Sequence, residues 1–70
     1  MKDIKKCFAD NLKEIIGNRS ITAFSREVGI PQATLSRYLA CKREPTISNL
    51  CKIADFCGER IDVLIGRTDY

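Results

Sequence analysis

The stretch SITAFSREVGIPQATLSRY, residues 20–38, has the pattern of two short amphipathic helices separated by a sharp turn at Gly29. Two helices that cross at a tight turn need a small residue at the crossing, and Ser25 occupies that position. Gly29 follows four residues later and accepts a positive φ without steric cost. Leu35, six residues beyond the glycine, is placed to hold the second helix against the first. The remaining inward positions are apolar or aromatic: Phe24, Val28, Ile30 and Tyr38.

A preceding helix is predicted from about Asp3 to Ile16, because apolar residues recur there at helical spacing. Its apolar stripe consists of Ile4, Phe8, Leu12, Ile15 and Ile16. Gly17 is expected to end this helix as a left-handed cap, and Ser20 is the expected N-cap of the next one.

The third helix is predicted from about Pro31 to Leu39, with Pro31 in its first turn, where a missing amide proton does no harm. Its outward face comprises Gln32, Ala33, Ser36 and Arg37. Gln can pair with adenine, Arg with guanine, and Ala can meet a thymine methyl group in the major groove of DNA. The alternative is an ordinary solvated helix face. The absence of Asp and Glu from residues 33–37 favours the DNA interpretation.

The rest of the chain predicts a basic loop at residues 40–45, a fourth helix capped by Thr46 and ended by Gly58, and a short fifth helix or turn. The apolar side of the fourth helix is expected to include Ile47, Leu50, Cys51, Ile53, Ala54 and Cys57. The fifth element contains Ile61, Val63, Leu64 and Ile65, and residues 66–70 form a polar tail. The expected fold is one compact, all-α, five-helix domain that spans residues 1–70.

Composition limits the possible functions. No apolar run in the 70 residues approaches the roughly 18 to 20 that a membrane helix needs, so a soluble protein is expected. The net charge is +3, and residues 17–45 carry all of it, with five basic and two acidic residues. Such an excess suits a phosphate-binding surface, although chance clustering on a solvated face would give the same count.

Four cysteines, Cys7, Cys41, Cys51 and Cys57, raise the alternatives of disulfides or zinc. The chain has no Cys-x-x-Cys pair and no histidine, so the usual zinc spacings are absent. Free thiols that are buried or partly buried are therefore expected, with no metal and no other cofactor. A reducing cytoplasm is the expected compartment.

Together these motifs resemble the helix-turn-helix family of phage repressors and Cro proteins, also called the xenobiotic-response-element (XRE) family. The resemblance runs without a gap from about Phe8 to Gly66. It rests on FSREVGIP (24–31), TLSRY (34–38), KREPT (42–46), LCKIA (50–54) and IDVLIG (61–66). It implies a bacterial or phage protein of the nucleoid, with the third helix in the major groove. The implied base-contacting residues are Gln32, Ala33, Ser36 and Arg37, and the implied phosphate-contacting residues are Ser20, Thr34, Lys42 and Arg43.

Three positions depart from the family pattern. Ser25 replaces the usual alanine but is still small. Cys41 replaces the glycine that usually follows the third helix, which predicts either a different backbone path or strain. Arg60 stands where the fifth helix usually has a hydroxyl cap. The last two departures concern loop geometry rather than the fold.

The leading functional hypothesis is a sequence-specific, DNA-binding transcriptional regulator that acts as a homodimer on a palindromic operator. The alternative is an antitoxin or another protein-interaction module on the same fold, for which acidic or bulky apolar residues on the third helix would be the sign. An enzyme has no support, because the sequence contains no histidine, no paired carboxylates at catalytic spacing and no glycine-rich phosphate loop.

Overall fold

The computed structural model describes residues 3–67, and all regular structure in that range is helical. The five helices are α1 (Ile4–Ile16), α2 (Ile21–Val28), α3 (Gln32–Leu39), α4 (Ile47–Cys57) and α5 (Ile61–Leu64). The predicted all-α, five-helix fold is confirmed. Positions 68–70 of the predicted tail lie outside the described residues.

One hydrophobic core joins the five helices. Its fully buried side chains are Phe8, Leu12, Phe24, Ile30, Leu35, Tyr38, Ile53 and Leu64. The rings of Phe8 and Tyr38 meet edge to face with centroids 5.4 Å apart, which fixes α3 against α1. Because Tyr38 and Leu35 fill the inner side of α3, the opposite side of that helix faces solvent.

Three of the helix starts follow the capping rules. Asp3 precedes α1 and accepts from the amide of Lys5 at 3.0 Å. Ser20 precedes α2 and accepts from the amide of Ala23 at 3.0 Å, and Thr46 precedes α4 in the same way. The predicted caps at Ser20 and Thr46 are confirmed.

Two boundary predictions need correction. Gly17 does end α1, with φ 59°, but its ψ of −127° lies outside the left-handed helical region. The chain leaves α1 in a more extended direction there, and Arg19 N bonds back to Ile16 O. Pro31 precedes α3 as its N-cap rather than lying in its first turn, and its carbonyl accepts the amides of Thr34 and Leu35.

The predicted apolar side of α4 is only partly correct. Leu50, Ile53 and Ala54 are buried, whereas Cys51 and Cys57 are exposed and Ile47 is 80 % exposed. Cys51 lies about 100° around the helix from Leu50, which turns it away from the core. Ile47 and Cys57 are the first and last residues of α4, and no residue from 40 to 49 belongs to the core cluster. Helical spacing predicted the three buried residues correctly, but it does not show how far the neighbouring elements cover the helix.

The short helix α5 is held to α1 by Asn11. The Asn11 Nδ2 donates to the carbonyls of Val63 and Leu64 at 3.2 and 2.9 Å. At the start of α5, Arg60 makes no side-chain cap, in line with its departure from the family pattern. The Asp62 carboxylate instead accepts from the amide of Val63 at 3.1 Å and pairs with the Arg60 guanidinium. No helix within residues 3–67 is both long and apolar enough to cross a membrane.

Candidate nucleic-acid interface

The turn between α2 and α3 has the geometry that the sequence predicts. Gly29 is left-handed, with φ 76° and ψ 33°, and the amides of Gly29 and Ile30 both donate to the carbonyl of Ser25. The Ser25 hydroxyl donates back to the carbonyl of Ile30 at 2.6 Å. Ser25 is therefore more than a small residue at the crossing, because its hydroxyl closes the turn as well. The Lys52 ammonium reaches the carbonyl of Gly29 at 3.2 Å and ties the turn to α4.

The outward face of α3 is exposed at every position expected to contact bases, namely Gln32, Ala33, Ser36 and Arg37. The inner face is fixed on two sides. Tyr38 packs on α1, and its hydroxyl accepts a hydrogen bond from Asn49 of α4 at 2.8 Å. The outward face is thus held on a rigid support, and it carries no carboxylate. The base contacts themselves stay a prediction.

A hydrogen bond joins the beginnings of the two helices. The Thr22 hydroxyl on α2 donates to Oε1 of Gln32 on α3 at 3.0 Å. Thr22 is not among the contact residues expected from the sequence. The contact depends on the angle between α2 and α3, which helical spacing does not give.

The residues expected to contact phosphates lie around this face in different environments. Lys42 and Arg43 are exposed in the loop after α3, and Thr34 is half-buried. The Ser20 hydroxyl accepts the Ala23 amide through its oxygen, so its own proton is available to an external acceptor. An available hydroxyl proton suits a phosphate contact at the start of α2, where the first amides of the helix also point outward.

The loop that carries Lys42 begins with a Schellman motif at the end of α3. The Lys42 amide donates to the Arg37 carbonyl, and the Cys41 amide donates to the Tyr38 carbonyl, both at 3.0 Å. Cys41 holds the position that normally belongs to glycine and adopts φ 59°. The sequence predicts either a different backbone path or strain at this position. The structure keeps the backbone path that is usual for glycine, so Cys41 carries the strained φ. Among residues 3–67, no other non-glycine residue has a positive φ.

Arg19, one of the five basic residues between positions 17 and 45, contacts an aromatic ring. The guanidinium of Arg19 lies over the ring of Phe56, 5.1 Å from its centroid, and also approaches the carbonyl of Ile15. Phe56 in turn meets Phe24 edge to face. Arg19 is itself exposed, but its guanidinium covers an aromatic ring; the other exposed basic residues of this region are Arg26, Arg37, Lys42 and Arg43. Periodicity did not reveal this, because Phe56 lies off the buried stripe of α4.

All four cysteines are free thiols in the structure, with Cys7 and Cys41 half-buried and Cys51 and Cys57 exposed. The expectation of buried or partly buried thiols therefore holds for Cys7 and Cys41 and is wrong for Cys51 and Cys57. Over the described range, no group of three or more His, Cys, Asp or Glu side chains converges as a metal site would require.

Comparison with known proteins gives one match. A family model described as helix-turn-helix matches residues 12–64, which is more than half of the chain. Neither the curated proteins nor the solved structures contain a match. The matched segment includes α2, the turn at Gly29 and α3.

Proposed function

Because the chain belongs to the helix-turn-helix family of the XRE and Cro/C1 type, we propose that it binds a specific double-stranded DNA sequence as a small transcriptional regulator, for example a repressor. In this proposal α3 enters the major groove. Gln32, Ala33, Ser36 and Arg37 contact base edges, while Ser20, Thr34, Lys42 and Arg43 contact phosphates.

The observation that carries the proposal is the exposed face of α3, which is polar, free of carboxylates and held from behind by Tyr38. A carboxylate on this face would be repelled by the phosphates on both sides of the groove. The long side chain of Arg37 lies about one helical turn beyond Ala33, on the same side of the helix. It can therefore reach a guanine edge while Gln32 reaches an adenine.

Selection from random duplex DNA, followed by binding measurements on the recovered sequence, tests the proposal. We expect one recovered motif, and we expect Arg37→Ala to cost about 1–3 kcal/mol on it and to relax the preference at one base position. Lys13→Ala is the control, because Lys13 is exposed on α1, outside the proposed interface. Recovery of no motif by the wild-type protein would contradict sequence-specific binding. Equal losses by Arg37→Ala on selected and scrambled duplexes would contradict its role as a base contact.

We further propose that the protein acts as a homodimer on a palindromic operator. Four base-contacting side chains on a helix of eight residues give limited affinity alone, and two linked copies multiply it. Two-fold symmetry would place the half-sites about 34 Å apart, one turn of DNA. The selected motif and the stoichiometry of the complex, measured by analytical ultracentrifugation, test this directly. A single, unrepeated half-site bound by one copy would contradict it.

The second candidate is a protein-interaction module or antitoxin, and Ile47, the one large apolar side chain that is exposed among the described residues, at 80 %, is the position at which to test for a partner contact. The two candidates differ in what they require of α3. A protein that binds no duplex in the selection, yet copurifies with a stable partner that Ile47→Ser releases, would support the second.

A further inference from the structure

Thr22 and Gln32 form a side-chain contact between the two helices of the motif. Thr22 is the second residue of α2 and Gln32 is the first residue of α3. The hydroxyl Oγ1 of Thr22 donates to the amide oxygen Oε1 of Gln32 at 3.0 Å. Both side chains are exposed, and Gln32 belongs to the outward face of α3 that the proposed function places in the major groove.

The bond matters because a glutamine side chain has two chemically different ends. Its carboxamide presents an acceptor at Oε1 and two donors at Nε2, and rotation by 180° exchanges them. Adenine needs one arrangement of the two, since its N6 amino group donates while its N7 accepts. A hydroxyl that donates to Oε1 favours one orientation and leaves the second lone pair of Oε1 available to the adenine amino group.

The same bond limits what Thr22 can do by itself. A hydroxyl has one proton, and the Thr22 proton is used by Gln32. Thr22 therefore cannot donate to a phosphate at the same time, and any effect on DNA binding passes through Gln32.

We propose that Thr22 is a positioning residue that makes Gln32 selective for adenine by holding its carboxamide in one orientation. The inference rests on the proposed function, since it requires sequence-specific binding with Gln32 at a base edge. It adds a residue of α2 to the determinants of the operator sequence.

The experiment uses the full chain and four variants: Thr22→Val, Thr22→Ser, Gln32→Ala and the double variant Thr22→Val/Gln32→Ala. The base position that depends on Gln32 is identified first, as the position where Gln32→Ala loses its preference. All four bases are then placed at that position in the selected duplex, and binding is measured for every variant. Thr22→Val keeps the shape of threonine without the hydroxyl, and Thr22→Ser keeps the hydroxyl.

We expect Thr22→Val to reduce the adenine preference at that position by about threefold to tenfold, as loss of one hydrogen bond would. Binding to scrambled duplex should stay unchanged. Thr22→Ser should restore the preference, which a merely structural role of the threonine methyl group would not explain. In the Gln32→Ala background, Thr22→Val should have no further effect, because the two residues act as one unit.

Two results would overturn the inference. One is an unchanged adenine preference in Thr22→Val. The other is an equal loss on all duplexes that persists in the Gln32→Ala background, which would make Thr22 an independent backbone contact. A wild-type protein without any sequence preference would instead contradict the proposed function, so the two failures are distinguishable.

Discussion

Cys41 and Gly29 occupy equivalent backbone positions at the ends of consecutive helices. Each has a positive φ, 59° for Cys41 and 76° for Gly29, and each precedes a residue whose amide bonds back five positions along the chain. Only glycine adopts this conformation without steric cost, because a Cβ atom crowds the following carbonyl oxygen. Glycine therefore fits the left-handed turn after α2, whereas Cys41 is strained in the equivalent turn after α3.

Replacing Cys41 by glycine should therefore stabilise the protein. We expect a gain of about 0.5–1 kcal/mol, since relief of the strained φ exceeds the extra freedom that glycine gives the unfolded chain. Urea unfolding followed by circular dichroism measures the difference. Cys41→Ala is the matched control, because it removes the thiol but keeps the Cβ atom, and it should not stabilise. If both variants gain equally, the thiol rather than the backbone is the unfavourable feature.

Gly29 allows the opposite test, in which a glycine is replaced by a residue with a Cβ atom. A Cβ atom built there would meet no atom within 4 Å, so a side chain would cost conformational energy and cause no clash. Gly29→Ala should destabilise by about 1 kcal/mol, and Gly29→Val by more, because branching at Cβ adds to the strain. Ala33→Val provides the control at an exposed helical position, with an expected cost of about 0.5 kcal/mol. Thermal unfolding of Gly29→Val at the wild-type temperature would contradict the left-handed turn.

At the scale of elements, α5 is too short to be stable by itself and depends on its contacts. Four residues give about one helical turn, which is far below the length at which isolated helices form. Leu64 anchors the helix in the core, and Asn11 supplies both donors of its carboxamide to the carbonyls of Val63 and Leu64. Those carbonyls are at the end of α5, where a helix leaves its last carbonyls without intrahelical partners, and that of Val63 also accepts the amide of Gly66 at 3.1 Å.

Asn11→Asp tests this attachment, because it replaces the donor by an acceptor of nearly the same shape. The carboxylate would face two carbonyl oxygens, and we expect a loss of about 1–3 kcal/mol in unfolding free energy. Asn18→Asp makes the same chemical change at an exposed position after α1 and should alter stability little. Chemical denaturation of both variants gives the comparison. Equal effects would show that added negative charge, rather than the lost bonds, is responsible.

The elements also show what the sequence could predict. Helix bounds followed from periodicity and capping residues, so α4 was placed from Thr46 to Gly58 and α1 began one residue from its predicted start. Each of those signals lies within one helix or its ends. The missed features join positions distant in sequence, such as Asn11 with Val63 and Arg19 with Phe56. They depend on crossing angles between helices, which no local pattern contains.

In the candidate site, too, features within one helix could be predicted from the sequence, and contacts between helices could not. The outward face of α3 was predicted because 3.6-residue periodicity separates it from Leu35 and Tyr38. The pairing of Thr22 with Gln32 was not, since it crosses from one helix to the other. The exposure of Ile47 was missed for a related reason: periodicity shows which side of a helix is apolar but not how far its neighbours extend.

For the whole molecule, the distribution of positive charge separates two roles for basic residues. Three exposed basic residues differ in their surroundings: the guanidinium of Arg19 lies over the ring of Phe56, whereas Lys42 and Arg43 lie beside α3, next to the proposed interface. A cation over an aromatic face contributes about 0.5–1 kcal/mol at exposed sites. An exposed cation that neutralises a phosphate acts instead by releasing a counterion from DNA.

Removing each of these charges should therefore change different quantities. Lys42→Ala and Arg43→Ala should each weaken binding to selected and scrambled duplexes alike and reduce the slope of log K against log salt by about one, without lowering stability. Arg19→Ala removes the same charge but should leave that slope unchanged while lowering the unfolding free energy. Fluorescence anisotropy at several salt concentrations and urea denaturation measure the two effects. A reduced slope for Arg19→Ala would show that its guanidinium contacts a phosphate in the complex. Unchanged slopes for Lys42→Ala and Arg43→Ala would show that the loop after α3 does not contact the DNA backbone.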